Sequence, residues 1–185
     1  VGFIFVLLVV GGSFLAGYNG IVAQDEAVKT QWAQVDNQLQ RRYELIPNLV
    51  ATTKGLSDQE SKIFLGLAEA RKGYFSAQNP ADKAVAAGNI ESALSRLLVF
   101  QENYPQLKSN EAFMRLMDSL EGTENRLSVE RGRYNDRVRS LNSAIRGFPG
   151  SFFAGLAGVT KAEYFKVPEA AKEVPKVDFS NKEKV

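Results

Sequence analysis

The first 24 residues, VGFIFVLLVVGGSFLAGYNGIVAQ, carry no charge, and this run constrains the chain more than any other feature. About 20 apolar residues rising ~1.5 Å each span a hydrocarbon core ~30 Å thick, so residues 1–24 read as a transmembrane helix. The alternative is a cleaved signal peptide. Its apolar region is ordinarily only ~7–15 residues long and ends at a small-residue cleavage site. The stretch FLAGY supplies a poor site at best, so a retained single-pass anchor is the favoured reading.

Helical patterning continues past the charge-free run. Beyond Asp25, the residues Val28, Trp32, Val35, Leu39, Tyr43, Ile46 and Val50 fall three and four apart, one apolar face of a helix. The membrane helix is therefore expected to run on into the part outside the bilayer. Pro47 interrupts this stripe, removing the bond to the Tyr43 carbonyl at a cost of ~3 kcal/mol in a helix interior. Because the apolar phase is the same on both sides of it, a kink within a continuing helix is expected rather than a stop.

Punctuation then divides the chain. Ser57 and Glu60 have the spacing of a capping box, opening a second helix with Ile63, Leu67, Ala70 and Tyr74 on its stripe. Asn79, Pro80 and Asp82 supply an N-cap, a first-position proline and a first-turn acid. The third helix they open carries Ile90, Leu94, Leu97, Gln101 and Tyr104, and Pro105 ends it. Asn110 and Glu111 open the longest pattern: Phe113, Leu116, Leu120, Leu127, Tyr134, Val138, Leu141, Ile145 and Phe148, closed by Gly147 and Pro149. Helices joined by short polar connections pack as antiparallel neighbours. The expected fold class is all-α: an N-terminal transmembrane helix continuing into an antiparallel up-down-up-down helical bundle. The expected division is 1–24 anchor, 25–149 bundle, and 150–185 an apolar segment with an extended tail, in which residues 177–179 give a short strand signal.

At 185 residues the chain has room for about one ordinary domain plus an appendage. It has no His and no Cys, which removes the commonest general base and metal ligand together with thiol chemistry. No cofactor or metal is expected. The net charge of +2 is spread as mixed signs, unlike the basic stripe of a nucleic-acid binder, and nucleic acid is not an expected partner.

Charged residues on the buried stripes need partners. Glu124 and Arg131 flank Leu120, Leu127 and Tyr134, and an antiparallel bundle brings Arg41 and Arg42 opposite them. A structural ion layer that fixes helix register is the simpler reading. A functional polar site in the core is the alternative, and a di-iron site is excluded because it needs Glu-x-x-His pairs. Trp32 and the stripe aromatics read as core rather than as a ligand cage. Gly12, Ala16 and Gly20, like Ser13 and Gly17, lie four apart, the small-residue spacing that lets membrane helices approach closely. Residues 148–159, FPGSFFAGLAGV, are uncharged, apolar and outside the helical pattern; they are expected to pack over the bundle end or lie at the membrane surface. Phe148, Phe152, Phe153 and Leu156 are then candidates, with Gly12, Ala16 and Gly20, for membrane contact and self-association.

The chain resembles the LemA family. The resemblance is carried by YN at Tyr18 and Asn19, QWAQVDNQLQRRYELIPNLV at 31–50, ENYPQLKSNEAF at 102–113, LEGTENRLSVERGRYNDRV at 120–138 and FPGSFFA at 148–154, and it runs from Tyr18 to about Phe165. It implies an N-terminal membrane anchor followed by an antiparallel helical bundle, in a bacterial envelope protein with no established enzymatic activity and no catalytic residues to carry over. Some relatives have a lipoprotein-type Cys before the Tyr-Asn pair; FLAGYN has none, so lipid attachment is not implied. The family's signature stretches overlap the candidate ion layer at Arg41, Arg42, Glu124 and Arg126.

The expected function is that of a non-enzymatic scaffold or interaction module in the bacterial inner membrane, with the lipid bilayer and further copies of itself as partners. An adaptor for another membrane complex, such as a protease or sensor, is the alternative. Only Lys29 is cationic between Asp25 and Gln40, so this flank lacks the Lys/Arg excess of a cytoplasmic side. An extracytoplasmic bundle is expected.

Overall fold

The computed structural model describes residues 2–52 and 58–166, and within them every element is helical. The elements are α1 (Gly2–Tyr43), α2 (Ile46–Ala51), α3 (Asp58–Ser76), α4 (Pro80–Glu102), α5 (Pro105–Lys108), α6 (Glu111–Ala144) and α7 (Gly150–Ala157). The capping box at Ser57 and the strand signal at 177–179 lie outside the described residues. The chain divides into two units, residues 1–40 with 123–165 and residues 41–122 with 166–185, so α1 and α6 each contribute to both.

In the first unit α1 and α6 run antiparallel. Gln31 donates to Glu130 at 2.6 Å and Ser140 to Gln24 at 3.4 Å, and Ile21 shares one apolar cluster with Ala144 and Ile145. The seam is built from Ile21, Val28, Val35 and Leu39 on α1 and Leu127, Tyr134, Val138 and Leu141 on α6, all buried. Much of this repeats at seven residues, the spacing that keeps two helices facing one another over several turns. Upstream the pattern changes: Phe3 to Val10 are all exposed, uncovered by any of the described residues.

Residues 148–159, which fall outside the helical pattern of the sequence, contain helix α7. An eight-residue helix that is apolar nearly all round has no polar face, so period alone does not reveal it. Gly150 lies against the Ala144 carbonyl, where any Cβ would collide. Gly158, at φ 67°, ends α7 in the left-handed conformation that favours glycine. Phe148, expected at the end of the α6 stripe, is fully off it, because α6 stops at Ala144 before the turn.

In the second unit α3 and α4 form an antiparallel pair with Phe64 against Phe100 at 6.1 Å between ring centroids and Lys83 over the Tyr74 ring. The Asn79 side chain accepts from the Asp82 N–H at 2.8 Å and Pro80 occupies the first turn. Asn110 does the same for α6, accepting from Phe113 at 3.1 Å. Buried Tyr43, Ile46, Leu49, Phe64, Leu67, Tyr74, Ile90, Leu94, Leu97, Phe113 and Leu120 fill the core. The expected kink at Pro47 is a break: α1 ends at Tyr43 and Pro47 lies in the first turn of α2. There its missing N–H is one that would have no helical partner anyway, and the apolar phase survives because Ile46 and Leu49 still face the core.

Candidate functional site

Two polar clusters are described, one in each unit. In the second, Arg42 at the last turn of α1 is 6% exposed. Its Nη1 donates to the Leu120 carbonyl of α6 at 3.0 Å, and its Nη2 reaches the Glu91 carboxylate of α4 at 3.1 Å. The neighbouring Tyr43 hydroxyl donates to the other oxygen of Glu91 at 3.3 Å. Two consecutive residues of α1 thus converge on one carboxylate. Arg71 of α3 donates Nε–H to the Tyr43 carbonyl at 2.9 Å, satisfying a helix-end acceptor left without an intrahelical donor. The Tyr43 and Tyr74 rings meet edge to face at 4.9 Å. One buried guanidinium and its phenol neighbour therefore fix α1 against α4 and α6, with α3 closing the end. The planar fork suits this task, since it reaches a carboxylate and a carbonyl in two directions at once.

In the first unit Arg131 is buried beside Glu124, at 3.2 Å, and its guanidinium lies over the Phe165 ring, 4.9 Å from the centroid. Phe165 belongs to an extended strap, residues 159–165, that runs back along α6. Asn142 donates to the Ala162 carbonyl at 2.9 Å and accepts from its N–H at 3.0 Å. Asn135 makes the same pair with Phe165, at 3.1 Å and 2.8 Å. The match is geometric: seven helical residues at ~1.5 Å and three extended ones at ~3.3 Å both cover about 10 Å. The Tyr134 hydroxyl adds a bond to the Glu163 carbonyl at 3.0 Å. Burial pushes the Tyr134 phenol above its ordinary value, and the Glu163 carboxylate pushes it the same way. Trp32 packs on Tyr134 and Phe165, with centroids 5.3 Å and 6.0 Å away.

Against the sequence expectations, Arg42 and Arg131 are the buried cations, whereas Arg41 and Arg126 are exposed. Successive helical positions turn by about 100°; the step back from Arg42 takes Arg41 to the exposed side, whereas the step forward keeps Tyr43 buried. Glu124 is half-buried with Arg131. Gly12, Ala16 and Gly20 are exposed. Phe148, Phe152 and Leu156 are 88%, 54% and 57% exposed, but Phe153 is only 7% exposed, because its ring is seated on Gly17 and against Phe14 at 5.3 Å. Sequence reading missed Glu91, Asn135 and Asn142. Each follows a buried stripe residue, Ile90, Tyr134 or Leu141, and the seven-residue interval between the asparagines is the signal that was available. Among the described residues no three Asp, Glu, His or Cys side chains group to hold a metal ion.

The described residues define an all-helical class of protein, with one helix long and apolar enough to cross a membrane and buried arginine contacts between its helices. The chain belongs to the LemA family, whose model matches residues 31–179. It is similar to magnetosome protein MamQ of Magnetospirillum gryphiswaldense, 27% identical over 179 residues that cover 83% of this chain. It is equally similar to magnetosome proteins MamQ 1 and MamQ 2 of Paramagnetospirillum magneticum, 27% identical over 180 residues. The chain spans 66% of the length of these relatives.

Proposed function

We infer that this LemA-family chain is a single-pass protein of the bacterial inner membrane, anchored by residues 1–24, whose bundle over 25–149 serves as a non-enzymatic scaffold. The observation that carries this reading is α1 itself. One helix is exposed and apolar at its start, where only lipid suits it, and is packed into a helical seam from Ile21 to Leu39. Lipid contact and bundle packing are thereby coupled through one rigid rod. The buried contacts of Arg42 support a structural role for the polar residues, since both arms of the guanidinium are spent on holding helices. Copies are expected to associate through Gly12, Ala16 and Gly20, where no atom approaches the positions a Cβ would take on the two glycines and close helix approach is open. The bundle is assigned to the extracytoplasmic side on the sparse positive charge after Asp25.

Affinity capture of the full-length chain from mild detergent is the test. A scaffold recovers mainly itself, whereas a stoichiometric unlike partner makes it an adaptor of another membrane complex. Release at full length by alkaline carbonate refutes the anchor, and protection of the bundle from protease in spheroplasts reverses the orientation.

A further inference from the structure

The antiparallel pairing of α1 and α6 brings Ile21 into one apolar cluster with Ala144 and Ile145, where α6 ends, but the chain does not turn back at that level. It continues as α7 toward the start of α1, so that Phe153 covers Gly17 and both Phe152 and Phe153 meet the Phe14 ring, at 6.2 Å and 5.3 Å. Only after Gly158 does it return, bonded first to Asn142 and then to Asn135. Phe14 lies ten residues before Gln24, roughly 15 Å along the helix at ~1.5 Å per residue, which is about half of a ~30 Å hydrocarbon core.

Three further observations agree with that depth. No residue between Arg146 and Lys161 is charged, and long cationic side chains at the two ends of such a dip reach outward to headgroups. Backbone bonds close both ends of α7, which hydrocarbon favours. The Ser151 N–H donates to Gly147 at 2.8 Å, those of Phe152 and Phe153 donate to the Pro149 carbonyl at 3.1 Å and 3.2 Å, and that of Val159 donates to Ala154 at 2.9 Å. Finally, Phe148 just before α7 and Phe152 and Leu156 on it are exposed, Phe152 keeping one edge against the Phe14 ring. At eight residues, or about 12 Å, α7 is too short to cross the bilayer.

The geometry points to α7 as a re-entrant lipid-binding element: residues 147–160 dip into the leaflet from which α1 emerges and offer Phe148, Phe152 and Leu156 to acyl chains. This rests on the reading that residues 1–24 span the membrane. A second copy of the chain is the competing cover for the same stripe.

Because the chain has no cysteine, single probes settle the matter. Full-length Phe148→Cys, Leu156→Cys, Leu15→Cys and Val129→Cys variants, all at exposed positions, are labelled with nitrobenzoxadiazole and reconstituted in phosphatidylcholine–phosphatidylglycerol vesicles. Labels at 148, 156 and 15 are expected to be quenched severalfold by doxyl groups on the acyl chains and to resist aqueous dithionite, while the label at 129 shows the reverse. Dithionite access at 148 and 156 with 15 still shielded overturns the proposal and leaves the anchor standing. Access at 15 as well overturns the anchor itself. Labels at 148 and 156 shielded from both quenchers assign the stripe to a second copy and overturn lipid binding. Circular dichroism of each labelled protein controls for folding. Since Phe148 is the most exposed of these positions, its variant decides if Leu156→Cys loses helix content.

Discussion

In the unit of residues 41–122 a guanidinium and a carboxylate meet out of water, Arg42 on Glu91, whereas in the unit of residues 1–40 and 123–165 the neutral amides of Asn135 and Asn142 hold an extended strap by its backbone. The two devices fail differently. A buried charge left without its partner destabilises everything that excludes water from it. A strap held by amides peels away alone, and its backbone groups are then hydrated. The first arrangement therefore belongs to global stability and the second to local order.

The largest effect is expected at Arg42. Arg42→Met removes the cation that faces the Glu91 carboxylate and should cost ~3–5 kcal/mol, while Arg42→Met with Glu91→Met recovers much of the loss by replacing both ions with apolar volume. Urea unfolding of the detergent-solubilised full-length chain, followed by circular dichroism, measures both. A single variant within ~0.5 kcal/mol of wild type, as for solvated pairs, would erase the contrast between the two units.

The strap comes next. Phe165→Ala removes a buried ring that packs on Trp32 and Arg131, and a rigid core would lose ~3–5 kcal/mol. Because the strap detaches as a unit, the global loss should fall below that range while hydrogen exchange at residues 160–165 rises to the rate of an open chain. Asn142→Ala forfeits two bonds, each ~0.5–1.5 kcal/mol, with the same local signature. Unchanged exchange in both variants would mean the strap is held by something other than these groups.

How far the sequence revealed these arrangements depended on the range of the interaction. The stripes of α1, α3, α4 and α6 were legible because period and capping are local, as at Asn79 and Asn110. Arg42 was legible as a charge on an apolar face, but its carboxylate was not, since Glu91 stands on another helix and looks like any acid beside an isoleucine. The strap pairing depends on α6 meeting a segment some 20 to 30 positions away, which no window of the sequence contains. Helix α7 was hidden for the opposite reason, being short and apolar on both faces.

Alkaline pH offers a smaller and reversible handle on the strap. The folded Tyr134 phenol lies above its ordinary value of 10.0 because it is buried, with Glu163 contributing in the same direction. A raised folded value means that the native state holds its proton longer. The associated stability is complete below pH ~10 and is lost as the pH climbs from there through the folded value. Trp32, which contacts both Tyr134 and Phe165, should report strap release as a fluorescence change above pH ~10. The part of that change absent from Tyr134→Phe belongs to this phenol; an identical titration in the variant would assign it elsewhere.

The smallest expected effects belong to Arg41 and Arg126, and they sharpen the comparison by position rather than by size. Arg41 precedes Arg42 on the same helix, yet a step of about 100° around the axis takes its side chain into water. Removing an exposed charge leaves no desolvated partner behind, so Arg41→Ala and Arg126→Ala should each stay within ~0.5 kcal/mol of wild type. Arg42→Lys should fall between Arg41→Ala and Arg42→Met. An ammonium keeps the charge facing Glu91 but cannot reach the carboxylate and the Leu120 carbonyl together as the guanidinium does. If Arg41→Ala proved as damaging as Arg42→Met in the same urea titration, burial would not be what distinguishes the two arginines. The assignment of the α1 terminus to a single desolvated contact at Arg42 would then fail.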